Sequence, residues 1–444
     1  MIRSISLIIA NTRIKRIALG IIIILALIFY YWGIASVPFH PDESTYIFMS
    51  SDILKFFSSP SSLFWQDEPN DVLRQHYREI DPPLTRDLIG AGLAITGLKP
   101  LSNDWDWTLT WEENLANNAL PSENQLLVGR LSVAWLFLPT LLLFFMVGQK
   151  LSSKRVGILA SFFLLTNALI LLHTRRAMEE GPLIFGICLS LWGLLNLDKG
   201  PWLAAFGAAL AFNAKQSALV IVPVVLLGIL WTRDKSESFS RRLIYSASFL
   251  GIFVALTFLL NPFLWSNPIQ AAKDAVASRL ELVQSQVNSV QGIAPQQVLN
   301  TPGERLVGMI AQLFVAPPAI QDIGNYTQAL SIPTANYLGI YGVDLFRGIF
   351  WGGLLMLLTL LGVTSLLLKI IKNGLHEERL WALFLISFLI QVLGLLIAVP
   401  IPYQRYWVPL VPYVCFFSAK GVEMVTHIIQ LFVLEIKRKR SLAM

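Results

Sequence analysis

Residues 17–46 read IALGIIIILALIFYYWGIASVPFHPDESTY. From Ile17 to Ala35 nineteen residues pass without a charge, about 28 Å as a helix and close to the ~30 Å hydrocarbon core of a bilayer. Arg3, Arg13, Lys15 and Arg16 precede the run and no acid stands among them, so the positive-inside rule places the N-terminus in the cytoplasm. A cleavable signal peptide would have a shorter apolar region and a small-residue cleavage site, and neither is evident. Directly after the run come His40, Pro41, Asp42 and Glu43, which sets two adjacent carboxylates on a rigid anchor at the outer membrane surface.

The rest of the chain extends this reading. Of 444 residues 55% are hydrophobic and 14% charged, with a mean hydropathy of +0.61, against roughly 25% charged in an average soluble domain. Soluble-enzyme, disordered and fibrous classes are excluded. The two cysteines, Cys188 and Cys415, lie inside apolar runs, so neither a disulfide framework nor a thiolate metal site is available. The net charge of +6 is dispersed at the ends of apolar runs; it orients helices and implies no nucleic acid.

Further apolar spans fall at about 126–147, 156–173, 181–197, 243–264, 349–368, 380–399 and 407–433. Their connections sort by charge. Lys150, Lys154 and Arg155 share one short loop, Arg233, Lys235, Arg241 and Arg242 another, and Lys369, Lys372 and Arg379 a third; the tail holds Lys437, Arg438, Lys439 and Arg440. With Lys199 and the N-terminal four, nineteen of the 34 basic residues face the cytoplasm, as do both termini. The other side receives residues 36–124, with 14 acids and 5 bases, and a second long loop at 265–348. Because the loops on both flanks of 202–231 are cytoplasmic, that segment must turn back within the membrane, with Asn213, Lys215 and Gln216 at its apex. A lysine there needs a polar cavity or an anionic partner. The expectation is an all-α polytopic membrane protein, one domain over 1–444, with about ten transmembrane segments and two external loop regions bearing juxtamembrane helices.

The residues able to do chemistry sit mostly on the outer side. Asp42 and Glu43 can act as base and metal ligand or merely favour a helix start. Asp81-Pro82-Pro83-Leu84 opens a helix-like stretch from Thr85 to Leu98, and a proline-capped interfacial helix explains it without further function. Arg175, Arg176, Glu179 and Glu180 form a short outer connection whose arginines suit a phosphate clamp or i,i+4 pairing with the acids. Arg405, between Gln404 and Tyr406, stands at another outer junction, where aromatic-belt anchoring is the plain alternative. Trp105, Trp107 and Trp111 crowd an external stretch, by interfacial anchoring or sugar stacking. His40 and His76 are the external histidines, and a two-histidine zinc site is conceivable.

The order of these pieces resembles the GT-C glycosyltransferases, in particular the protein O-mannosyltransferase and aminoarabinose transferase families. Asp42-Glu43 after the first span resembles their aspartate-glutamate motif and Asp81-Pro82-Pro83-Leu84 their "PPL" loop. The 167–185 segment, with Arg175, Arg176 and Glu180, looks like their second outer junction, Asn213-Ala214-Lys215-Gln216 like the "TK" turn, Asn261-Pro262 like an "NP" pair, and Arg405-Tyr406-Trp407-Val408-Pro409 like the terminal "RY..P" segment. Together they cover most of residues 20–425.

The resemblance implies a GT-C fold and inverting transfer of a sugar from a polyprenyl-phosphate donor to an acceptor hydroxyl at the outer face of a plasma (inner) membrane. The acceptor class stays open among protein, lipid and glycan. Asp42 would be the base and Glu43 would orient the acceptor or share a divalent metal ion. Lys215, Arg405, Arg175 and Arg176 would hold the donor phosphate as its charge grows, supported by Asp81, Glu180, Tyr46 and Tyr406. A transporter or flippase of lipid-linked sugars is the other class to weigh; it would show paired inverted repeats, which the sequence lacks.

Overall fold

The computed structural model describes residues 12–232 and 238–442, and among these it is built of helices without a strand. Arg3, Arg233 and Lys235, used above to orient the chain, lie outside the described residues. Helix α1 is Thr12–Trp32, and the loop after it carries α2, Pro41–Met49, α3, Val72–Ile80, and α4, Leu84–Thr96. The bundle continues with α5, Glu123–Leu151, α6, Lys154–Leu165, α7, Glu180–Leu194, α8, Trp202–Ala214, α9, Ile221–Thr232, and α10, Phe239–Leu260. A long loop helix α11, Pro268–Ile293, precedes α12, Gly348–Asn373, α13, Arg379–Ala398, and α14, Val411–Leu442.

Among the described residues five helices are long and apolar enough to cross a membrane: α5, α10, α12, α13 and the continuous Gln404–Ile436 stretch that includes most of α14. Shorter apolar helices at Gly20–Trp32, Glu180–Leu194, Trp202–Ala214 and Gln216–Trp231 accompany them. Ile21, Ile24, Leu25 and Ile28 of α1 are all more than half exposed, the pattern of a surface that meets lipid tails. The expected span at 156–173 is interrupted. Asn167 Oδ1 accepts the N–H groups of Leu169 and Ile170, at 3.0 and 3.4 Å, and starts a separate helix, Ala168–His173; this local cap competes with continuing α6.

The turn at 202–231 is present. Helix α8 stops at Ala214, Lys215 takes an extended conformation, and a 3-10 turn over Gln216–Val220 leads into α9. Lys215 thus lies beside Glu180 at one end of α7, while Gly228 of α9 lies against Leu194 and Leu197 at the other. The arms fit because α7 and α8 touch through small residues: a Cβ on Gly186 would come 2.4 Å from Ala211 N and one on Gly207 2.3 Å from Ser190 N. In lipid, where apolar burial gives little drive between helices, such close approach is a main source of helix affinity.

The two long loops pack on one another. Trp65 Nε1 donates to Asp274 at 2.8 Å, Ser278 donates to Glu79 at 2.7 Å, and Asn325 Nδ2 donates to the Asp106 carbonyl at 3.0 Å. The first two bonds seat α11 against α3 and the loop before it, and the space between α11 and α2 is the candidate site.

Candidate active site

The cap of α2 decides where its two acids point. The His40 backbone N–H donates to Glu43 Oε2 at 3.0 Å, the Asp42 N–H donates to His40 Nδ1 at 3.2 Å, and Pro41 fills the first helical position. Adjacent helical residues then diverge by about 100° around the axis. Glu43 turns inward and Asp42 outward.

Glu43 is fully buried. Its oxygens accept Arg130 Nε and Nη2, both at 2.8 Å, and the Ala177 N–H at 2.8 Å. Arg130 also donates to the carbonyls of Ile34 and Val37, at 2.9 and 2.7 Å. The acid is therefore a clamp joining α2 to α5 and to the 174–179 turn. Both oxygens are committed, so the structure does not place Glu43 where it would orient an acceptor or share a metal.

Asp42 lines a cavity of ≈ 350 Å³ together with Asp81, Glu179, Arg279, Asp322 and Arg405. Arg405 is ion-paired to Asp42 through Nη1, and its Nη2 stands 3.4 Å from Asp322. His40 spans the same two acids, with Nε2 3.3 Å from Asp322 and Nδ1 3.7 Å from Asp42. Burial works to raise both carboxyls, but the Arg405 guanidinium, with His40 beside both, outweighs it: Asp42 is held below its ordinary range and Asp322 at about 2. Asp81 goes the other way. Burial, then repulsion from Glu179, raises it to about 7 against the opposing pull of Arg279, which lies 3.9 Å away. Of the cavity's aspartates, Asp42 and Asp322 are thus held ionised while Asp81 titrates near neutrality.

Lys215 is 4% exposed and paired with Glu179 and, at 3.1 Å, with Glu180. Its ammonium also sits 5.4 Å from the Tyr406 ring centre. Tyr46 donates to Glu179 at 3.0 Å, and Tyr406 to Gln286 at 3.0 Å. The tyrosines and Glu179 link this pair to the cavity wall. Arg175 and Arg176 do not reach the cavity. Arg175 donates to the carbonyls of Tyr30 and Phe29, at 2.9 and 2.8 Å, and Arg176 to those of Ile320 and Pro38, at 2.6 and 3.3 Å. Nor do they pair with Glu179 and Glu180, because residues 174–179 form an irregular turn and the i,i+4 spacing has no helix to act through.

The sequence reading missed Asp322, Arg279 and Arg130. Arg130 carried a signal, being an arginine inside an apolar span, which needs a buried partner. Asp322 and Arg279 stand in the long 265–348 loop and reach the site only by folding.

Among the described residues no three His, Cys, Asp or Glu side chains converge as metal ligands. The two acids that face each other, Asp42 and Asp322, already hold a cation between them, the Arg405 guanidinium. As arranged, these residues do not fit a divalent ion.

Comparison with known proteins adds to this picture. A profile of the dolichyl-phosphate-mannose-protein mannosyltransferase family matches residues 72–266, which include α3, the Asp81 loop, the 174–180 turn and Lys215. No curated protein matches the chain significantly. Among solved structures, the archaeal oligosaccharyltransferase AglB from Archaeoglobus fulgidus, in complex with an inhibitory peptide and a dolichol-phosphate, is 12% identical with a TM-score of 0.48. That match covers 94% of this chain and 51% of AglB, so the chain spans about half its length. ArnT from Cupriavidus metallidurans in the apo state is 17% identical over 90% of this chain and 76% of its own, with a TM-score of 0.36. Over residues 72–266 the chain is thus similar to the dolichyl-phosphate-mannose-protein mannosyltransferase family.

Proposed function

We propose that the chain is an inverting glycosyltransferase that moves a sugar from a polyprenyl-phosphate donor to an acceptor hydroxyl at the outer face of a cell membrane. The observation that carries this reading is the juxtaposition, in one cavity, of an ionised Asp42 with two guanidinium groups, Arg405 and Arg279. The acceptor oxygen forms its new bond to the anomeric carbon as the bond from that carbon to the phosphate oxygen breaks. The phosphate departs with the bonding electrons, and the acceptor proton passes to Asp42. Fixed guanidiniums favour the charge that grows on the leaving phosphate, and a positioned base contributes on the order of 10²- to 10⁴-fold. Glu43, Arg130, Arg175 and Arg176 hold the walls instead of touching substrate.

A second assignment of the base has its own support: Asp81, raised to about 7, is matched to proton transfer at neutral pH. A divalent ion would enter only by displacing Arg405 from Asp42 and Asp322. The test of the function is incubation of the purified chain with a panel of polyprenyl-phosphate monosaccharides, read by mass spectrometry as transfer or hydrolysis. Turnover of one donor is expected, lost in Asp42→Asn; no turnover with any donor, while donors still cross membranes, would favour a flippase.

A further inference from the structure

A second cavity, of ≈ 960 Å³, adjoins the first. The two share Trp107, Ser289, Asp322, Ile323 and Tyr403 in their walls. This volume is at the upper end of the ~300–1,000 Å³ usual for ligand clefts, and its lining is unlike that of the first. Its one charged residue is Asp322, already engaged by Arg405 and His40. The polar remainder is neutral, led by Gln297, Gln312 and Gln321.

Trp107 stands where the cavities meet. Trp105 and Trp111, its neighbours in sequence, pack with Phe39 and Tyr326 in a small hydrophobic cluster. Trp107 instead keeps 44% of its surface exposed. It is braced from behind by Tyr326, edge-on at 5.9 Å, and by Gly324, where a Cβ would come 2.9 Å from the indole. The ring is thus backed on one side at the junction with part of it open. Tyr403 supplies the other aromatic wall.

Given glycosyl transfer in the first cavity, on which this assignment rests, we propose that the second cavity is an acceptor site for a neutral saccharide, with Trp107 as its stacking platform. A pyranose ring has an apolar C–H face that suits an indole and a rim of hydroxyls that each donate and accept. Gln312 Oε1 already accepts from Gln404, and Gln321 Nε2 already donates to the Thr327 carbonyl and to Thr334, so Gln312 offers such a rim its amide donor, Gln321 its carbonyl and Gln297 both, while an aromatic face adds contact area at small conformational cost. An anionic lipid headgroup would need cations that this wall lacks. The hydroxyl presented through the junction is the one that loses its proton to the base as the new glycosidic bond forms.

The test uses the full chain in detergent, without donor, and saturation-transfer NMR with maltotriose, cellotriose and chitotriose as probes, beside a neutral serine- and threonine-containing nonapeptide. At least one trisaccharide should bind in preference to the peptide. Trp107→Ala should weaken it by about tenfold or more, while Trp107→Phe keeps most of the affinity. Gln297→Leu should also weaken it, with Tm unchanged in each variant. Preference for the peptide, no trisaccharide binding, or equal binding by Trp107→Ala overturns the assignment. Since donor is absent, a chain that binds saccharide through Trp107 but never turns over a lipid-linked sugar would sink the transferase reading alone. Conversely, donor turnover with transfer only to peptide would sink the acceptor assignment alone.

Discussion

Two ion networks stand within one turn of helix of each other, and they differ in what surrounds them. Around Arg405, the carboxylates of Asp42 and Asp322 face a cavity and leave Asp42 with a quarter of its side chain exposed, at 26%. Around Arg130, Glu43 is sealed at 0% and every oxygen has a protein partner. The residue types are the same: a carboxylate and a guanidinium. Access to solvent and the number of bonds already made separate them. A sealed pair becomes costly once one partner is removed, because the other is left buried and charged, whereas a pair at a cavity wall can trade its partner for a substrate at smaller cost.

The largest expected effect is on the open network. Asp42→Asn should lower transfer by about 10²- to 10⁴-fold and leave Tm nearly unchanged, measured by mass-spectrometric turnover and by thermal unfolding of the same sample. A variant that unfolds instead would show that the open pair is structural too, and the contrast would collapse. Arg130→Met should do the reverse. Stranding Glu43 without its bidentate partner is expected to cost about 3–5 kcal/mol, visible as a large fall in Tm, with the surviving folded fraction still binding donor.

Lys215 tests a case between the two. Its two acid partners, Glu179 and Glu180, adjoin at the start of α7, and Glu179 also lines the cavity. As a structural ion-pair residue, Lys215→Met should lower stability by about 2 kcal/mol or more, and adding Glu180→Gln should restore part of it. Donor affinity should then change by less than about threefold. A loss of one to two orders of magnitude in donor binding, with Tm unchanged, would mean instead that Lys215 leaves its acids for the phosphate when donor enters.

Much of this arrangement was legible in the residues, for physical reasons that also mark the limit. Five long apolar helices could be read because an uncharged run of membrane length has few alternatives, and the break at Lys215 because a lysine and two amide side chains interrupt the apolar run of 202–231. Asp42 could be placed because it follows directly on a helix end. The break at Asn167 was not read, since an apolar run hides a side chain that caps locally. Nor could sequence tell Asp42 from Glu43, or Arg405 from Arg175: which of two neighbours faces a cavity depends on the cap at His40 and on loops that return from far along the chain, as Asp322 and Arg279 do.

The smallest effect separates the two candidate bases by their titration. Burial and Glu179 raise Asp81 to about 7, while an unfolded aspartate titrates near ~3.9. Between those values the folded chain binds more protons than the unfolded one, so this residue's contribution makes stability fall as pH rises from about 4 to about 7 and leaves it level above. Asp81→Asn removes that slope, and its Tm should exceed wild type by about 2 °C at pH 8 while matching it near pH 4. The rate profile then decides which acid takes the proton. With Asp42 as base, a carboxylate held low by Arg405 stays ionised across the range; kcat should be level from pH 6 to 8, and Asp81→Asn should retain most of it. With Asp81 as base, kcat rises through about pH 7 and vanishes in Asp81→Asn, and Asp42 would be left as the residue that positions Arg405 against the donor.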